Sequence, residues 1–524
     1  MAFSRRSALI AGAGLVAVPR LSLAQDARPL RFVPQADLAV LDPVYTTATV
    51  TLTHGFMVFD TLYGLDEGYE VRPQMAEGHV VERDGLDWTI TLREGLTFHD
   101  GEKVRGSDCV ASIRRWAARD MVGAELLAVL DEMSAPTDRT IRIRLKQPFP
   151  LLPRALGKVT AAMPAIMPER IAATPPNRQV TEMVGSGPYR FLADERMAGV
   201  RAAYARFDGY VPRNEASSRT AGGKVAHMAR VEWQVLPDPA TAAGALTAGE
   251  VDWLEYPSPD LAPMLQRNRD VTVAITDERS ISVLRFNHLQ APFNNPGVRR
   301  ALLGALDQSA YMTAAFGDDR ALWREAGVFL SGTPMANDAG MAALRGPRDM
   351  DKVKRDLAAA GYAGEKTVLL QANDFPLLKA LSEVAGDMMA RAGMNVDVVA
   401  ADWGTIGARR ANKEPVERGG WSAFTSGFSG AGMLDPVANL GLRATGARAW
   451  FGWPDSPELE GLRRDWMAAP DTAAQQQVAR AIQERFWVDL PYMPLGEYSR
   501  MTAYRKNIVD IPVGLPSFWG VRRV

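Results

Sequence analysis

Apolar and polar positions alternate from Trp88 to Arg93, with Trp88, Ile90 and Leu92 on one side and Thr89, Thr91 and Arg93 on the other. A period of two predicts a half-buried strand. Glu94-Gly95 turns the chain into a second short run, Leu96 to His99, and Asp100-Gly101 turns it again. Ser107 then predicts the cap of a helix from about Asp108 to Arg119, with the Asp108 carboxylate at the positive end of the helix dipole. Alternation returns at 139–145, where Ile141, Ile143 and Leu145 share a face. Residues 64–178, rich in strand and turn signals, predict a small α+β unit.

The flanking pattern differs. Residues 29–36 predict an opening strand and 50–62 a helix, while Gly185-Ser186-Gly187-Pro188-Tyr189 predicts a tight loop. Strands at 189–192 and 231–236 precede a helix at 239–248. Asn295-Pro296 is a strong helix start, and Asp349 caps another helix that Gly361 stops. A strand at 367–372, a helix at 376–392 and a strand at 395–400 form a βαβ unit, which places parallel sheet in the C-terminal half.

Length changes this picture, because 524 residues exceed what one core organises, so two or three domains are expected. A formal net charge of −1 leaves no basic excess for nucleic acid or an anionic membrane. Residues 1–24 read as an export signal: Ser4-Arg5-Arg6, a short apolar run at 8–18, and Ser22-Leu23-Ala24 before a mature start near Gln25. The arginine pair points to the twin-arginine route, with an ordinary Sec signal as the alternative. Gly12-Ala13-Gly14 imitates a dinucleotide fingerprint, but no strand precedes it. The mature chain is expected to be soluble in the periplasm. Cys109, its one cysteine, allows no intrachain disulfide, and no cysteine follows the signal to carry a lipid anchor.

Catalytic patterns are nearly absent. His54, His79, His99, His227 and His288 are scattered, with no metal-ligand spacing and no phosphate loop. The nearest nucleophile elbow, Gly427-Phe428-Ser429-Gly430-Ala431, lacks its last glycine. No catalysis, cofactor or metal is therefore expected. Aromatic and arginine side chains do concentrate in the C-terminal half, among glycines and prolines that favour loops. Trp403, Arg409, Trp421, Phe424, Trp450 and Tyr498, together with Tyr45 from the N-terminal part, are the candidate ligand-binding residues, because a small-molecule cleft combines apolar walls with a few oriented polar groups.

Several motifs carry a resemblance. Met75-Ala76-Glu77, Asp84-Gly85, Trp88 to Arg93, Gly95, Phe98-His99-Asp100-Gly101 and Ser107 to Val110 are similar to the signature of the family-5 extracytoplasmic solute-binding proteins of ABC importers. Gly185 to Tyr189, Tyr204 to Tyr210, Gly249 to Asp252, Phe286-Asn287 and Val298 to Leu302 resemble further family landmarks in the same order. The resemblance implies an α/β periplasmic binding protein fold of the large three-domain type, with two lobes, a hinge and an extra α+β subdomain. The implied division is 25–63 with 179–280 and 490–524 as lobe I, 64–178 as the subdomain, and 281–489 as lobe II. It implies a monomer that captures a small organic solute, oligopeptide-like or another amino or carboxylate compound, for an inner-membrane ABC permease and its ATPase. An exported hydrolase, or a sensor or chaperone on the same fold, is the alternative.

One departure bears on the solute. Peptide-binding members carry a Gly-Trp-x-x-Asp-like motif whose aspartate pairs with the ligand ammonium. Here Gly420-Trp421-Ser422-Ala423-Phe424 puts Phe424 at that place, leaving Asp435 as a substitute, while Arg409 is a candidate for holding a carboxylate. Trp421→Ala is expected to weaken ligand binding more than Trp88→Ala, and Trp88→Ala to cost more stability.

Overall fold

The computed structural model describes residues 28–524 apart from Ala161, Pro470, Val513 and Pro516, so the expected export signal and its cleavage site lie outside the described residues. An 11-stranded mixed sheet runs through the molecule. From one edge its order is Asn395–Ala401, Lys366–Ala372, Ala423–Ser429, Val271–Phe286, Tyr492–Arg505, Trp253–Leu254, Leu30–Val33, Arg230–Gln234, Arg201–Arg206 and Tyr189–Phe191, with Trp323–Arg324 paired beside the path. Two long antiparallel strands, Val271–Phe286 and Tyr492–Arg505, carry it from one half of the protein to the other. Their register breaks between Ile275 and Arg279. Of the two large hydrophobic cores, one gathers residues from Leu30 to Trp253 with Phe518 to Val521, and the other gathers residues from Ile281 to Tyr498.

The opening alternation forms the middle of a separate four-stranded antiparallel sheet, Ala76–Glu82, Asp87–Leu92, Thr140–Leu145 and Leu130–Thr137. Trp88, Ile90, Leu92, Ile141 and Ile143 are buried as the period of two requires. Residues 96–99 make no strand: Phe98 is buried, and the run contributes only an isolated bridge from Thr97 to Lys103. The helix over this sheet spans Gly106–Ala117 and its cap is Arg105 rather than Ser107. Asp108 sits in the first turn and accepts from the Arg105 backbone N–H at 2.7 Å, which is half of a capping box.

The helix expected at 50–62 spans Thr49–Val58 and is buried on nearly every side. It stops early because Asp60 is drawn out of helical register into a buried pair with Lys224, 2.7 Å away. Starts with a side-chain cap lie where the sequence puts them. Asp238 precedes Pro239–Ala248, Asn295 precedes Pro296–Leu303, and Asp349 precedes Met350–Ala359. Lys366–Ala372 and Asn395–Ala401 pair in parallel across the helix Pro376–Arg391. Among the described residues no helix is long and apolar enough to cross a membrane.

Candidate functional site

A cavity of about 140 Å³ lies where the two large cores and the small sheet unit meet. The first core contributes Gln35, Ala36 and the first turn of helix Thr49–Val58, the small unit contributes Asp120–Val122 and Lys158–Thr160, and the second core contributes the aromatic wall. A second cavity of about 420 Å³ adjoins it, and Phe375, Trp403, Tyr498 and Arg500 border both.

The aromatic wall is built from short, pinned segments. Trp403 opens the helix Trp403–Arg409, whose cap Asp402 accepts from the Thr405 backbone N–H at 2.9 Å, while Asp374 accepts from the Trp403 N–H at 2.7 Å. Trp450 stands on a loop fixed from beneath by Arg285. This buried guanidinium donates to the carbonyls of Phe451 (2.6 Å), Gly441 (2.7 Å), Pro491 (2.9 Å) and Trp450 itself (3.3 Å). Tyr498 stacks on Phe316 at 4.7 Å and its hydroxyl accepts from Arg500 at 3.1 Å. A Cβ on Gly427 would come within 2.9 Å of that hydroxyl, so a larger residue there would have to push the end of the tyrosine aside.

Arg410 is the polar group this wall surrounds. Its guanidinium lies 4.6 Å over the Trp403 ring, 5.1 Å over Phe451, 5.2 Å over Phe424 and 5.8 Å over Trp450. The residue is 7 % exposed, and its Nε is buried without a hydrogen-bond partner. Burial alone pulls the guanidinium down from its ordinary value to about 10, with no carboxylate among the described residues raising it. The first turn of helix Thr49–Val58, which borders the same cavity, has neither a side-chain cap nor an acidic residue. Asp120 is the wall's carboxylate among the described lining residues; it pairs with Lys158 and caps the backbone N–H groups of Val122 and Gly123.

Of the residues singled out in the sequence, Trp403, Trp450 and Tyr498 border the cavity. The other four, Trp421, Phe424, Arg409 and Tyr45, lie outside its lining. Trp421 is fully buried in the second core, against Phe424 at 5.0 Å and Trp453 at 5.7 Å, and donates to the Arg410 carbonyl at 3.2 Å. Phe424 shares a strand face with Ser426 and Phe428, but Trp450 and Arg410 cover it, and Phe428 reaches the cavity instead. Arg409 turns away and pins the Gly419 and Gly420 carbonyls at 3.0 and 3.1 Å. Tyr45 lies under the Arg119 guanidinium at 4.9 Å, two residues short of the lining segment.

Helical geometry distinguishes the two arginines. Arg410 follows Trp403 by seven residues, close to two turns of about 3.6 residues each, and so returns to the same face, whereas Arg409 does not. Asp435, the substitute considered for an ammonium partner, is engaged by other groups. Its carboxylate pairs with Arg154 at 2.9 Å and accepts from the backbone N–H groups of Val437 and Ala438.

Ser429 borders the cavity, but among the described residues no histidine does. His54 is buried against Tyr204, and that burial, with the Arg196 charge adding to it, drops its pKa to about 3. His99 contacts Gly187 and is lowered by burial to about 4. No group of three or more histidine, cysteine, aspartate and glutamate side chains among the described residues could hold a metal ion.

Residues 70–450 match the family described as bacterial extracellular solute-binding proteins, family 5 Middle. A probable peptide ABC transporter periplasmic-binding protein of Sinorhizobium fredii is 36% identical over the whole of both chains. A glutathione-binding protein of Pectobacterium atrosepticum is 26% identical over 90% of this chain and 89% of its own. The fold is that of AgaA from A.tumefacien R10, solved with agropinic acid, at a TM-score of 0.79 and 21% identity, covering 95% of this chain and 99% of that one. With residues 70–450 matched and a relative 36% identical over the whole of both chains, the chain belongs to family 5 of the bacterial extracellular solute-binding proteins.

Proposed function

We propose that the protein is the periplasmic receptor of an ABC importer, which captures a small organic acid or peptide-like solute between its two cores and hands it, unaltered, to an inner-membrane permease and its ATPase. The observation that carries this reading is the interlobe cavity itself: three parts of the chain wall it, and a buried Arg410 faces it with no protein counter-charge among the described residues. The lobes are taken as 25–63 with 179–280 and 490–524, and as 281–489, with 64–178 as the extra subdomain. The register break between Ile275 and Arg279 suits a hinge, because the two long strands cross between the lobes there. The protein acts as a monomer, exported on a twin-arginine signal and without a lipid anchor. Isothermal titration against peptides, opines, glutathione and sugars tests the reading. Saturable one-to-one binding with the solute recovered intact is expected; turnover of a solute, or no binding by any class, contradicts it.

Closure has its own signature. Arg154 pairs with Asp435 at 2.9 Å and Arg443 with Glu125 at 3.2 Å, so two ion pairs tie the subdomain to the second core beside the cavity. Partly exposed pairs of this kind contribute about 0.5 to 1 kcal/mol each. The double substitution Arg154→Gln with Glu125→Gln is therefore expected to weaken solute binding roughly five- to thirtyfold and to enlarge the solute-free protein in small-angle scattering. Unchanged affinity and dimensions would show that the pairs do not hold the closed form.

A further inference from the structure

The smaller cavity has a charge character that the receptor reading alone does not explain. Arg410 is more than nine-tenths buried, borders the cavity, and has aromatic faces for neighbours instead of a carboxylate. A planar guanidinium fork in a dry site matches a carboxylate in a bidentate manner, and leaving it unpaired costs several kcal/mol. Bordering the same cavity, the ten-residue helix Thr49–Val58 begins at Ala48 with no side chain capping its first N–H groups. An uncapped helix start attracts an anion by its free donors and its dipole. These two groups belong to different cores, so an anion between them joins the lobes.

The same wall is hostile to an ammonium group. Lys158, Arg410 and Arg500 all border this cavity, and the Asp120 carboxylate is spent on Lys158 and on capping a helix. Phe424 is buried behind Trp450, and Asp435 is held by Arg154. Size adds a further limit. A cavity of about 140 Å³ holds a group on the scale of a benzene ring, so only the end of a solute fits, and the remainder passes Trp403 and Tyr498 into the larger cavity.

Resting on the receptor reading, we propose that the smaller cavity takes the solute by a carboxylate end with no ammonium beside it, clamped between Arg410 and the uncapped first turn of helix Thr49–Val58. The solute class is then acids whose carboxylate-bearing carbon is neutral, such as N-acylated amino acids or the C-terminal residue of a short peptide. Free α-amino acids are excluded. A peptide enters carboxylate first, and its N-terminus lies in the larger cavity.

Four probes differing at one group each test this by calorimetry: N-acetylleucine, glycylleucine, leucine and N-acetylleucinamide. N-acetylleucine and glycylleucine are expected to bind, and leucine and N-acetylleucinamide to bind at least about tenfold more weakly. Arg410→Met is expected to lose at least about tenfold for both acids while its circular dichroism and unfolding transition remain cooperative. Ala48→Asp, which caps the helix with a carboxylate of its own, is expected to weaken the acids by a similar factor without lowering the melting temperature. Leucine or the amide binding as tightly as N-acetylleucine, or undiminished acid binding by Arg410→Met, overturns the proposal. If none of the four binds but a sugar or cationic solute does, the receptor reading stands and this assignment falls. If no solute of any class binds, both fall.

Discussion

Arg410→Met is expected to produce a protein that is more stable without solute and unable to hold its acid. Both effects come from one uncompensated charge. Desolvating a guanidinium is unfavourable, and here the aromatic rings around it, the nearest at 4.6 Å, recover only part of that penalty. Methionine matches the length of the arginine stem and packs readily against aromatic rings. Replacing buried charge with apolar volume commonly stabilises by about 1 to 4 kcal/mol, and with the cation–π contacts subtracted a gain of about 1 to 2 kcal/mol is expected in urea unfolding. Affinity for the acid should fall about hundredfold, the value of a charge-assisted pair worth about 2 to 3 kcal/mol. A stability loss with affinity intact would mean that Arg410 is structural.

The pH dependence follows with a definite sign. Arg410 titrates near 10 when folded, below its ordinary value, because burial disfavours the cation. Below pH 10 the charge is present in both states and its stability penalty is constant. Above about 10 the unfolded chain holds more protons, so the penalty is relieved as pH rises. Acid binding should therefore be flat through neutral pH and disappear as pH climbs through about 10, where the folded cation discharges.

Lys224→Met should have the opposite effect on stability. Lys224 is also fully buried, but its ammonium is committed: it meets Asp60 at 2.7 Å and lies 4.9 Å from the Trp519 ring. Asp60 in turn accepts from the Tyr210 hydroxyl at 2.8 Å and the Thr61 backbone N–H at 2.9 Å. Removing the lysine strands a carboxylate in the first core, at a cost of about 3 to 5 kcal/mol. Chemical unfolding should show that loss, while solute affinity at low temperature stays within about twofold of the parent, because the pair does not border either cavity. Asp60→Asn in the same chain should restore part of the stability. Loss below about 1 kcal/mol would indicate that water reaches the carboxylate.

Local signals were legible where the local chemistry settles the outcome. Asn295 caps Pro296–Leu303 because an amide oxygen and a following proline suit the start of a helix in almost any surroundings. The alternation at Trp88 and Ile141 likewise needs only one buried face. The helix from Thr49 ends at Val58 for a reason no window around it contains, since Lys224 lies 164 residues from Asp60. Ser107 looked like a cap, yet Asp108 reaches back to Arg105 and moves the start.

The site was legible in kind but only partly in detail. Aromatic residues among glycines pointed to Trp403, Trp450 and Tyr498, all of which border the cavity. Which layer a ring occupies depends on what covers it, and Phe424 lies beneath Trp450, which comes from another segment. Arg285 left one signal, a charged residue inside the apolar run from Ile281 to Phe286, and its part in fixing Trp450 follows from carbonyls on three separate loops. The choice between Arg409 and Arg410 could have been made from helical phase once a helix was assigned at Trp403.

The most direct test is mass spectrometry of the solute released when protein purified from periplasm is denatured, followed by titration of that solute back onto the parent and Arg410→Met chains. The predicted result is a carboxylic acid that rebinds the parent and not the variant. Release of a cationic or neutral solute that rebinds both equally would contradict the account.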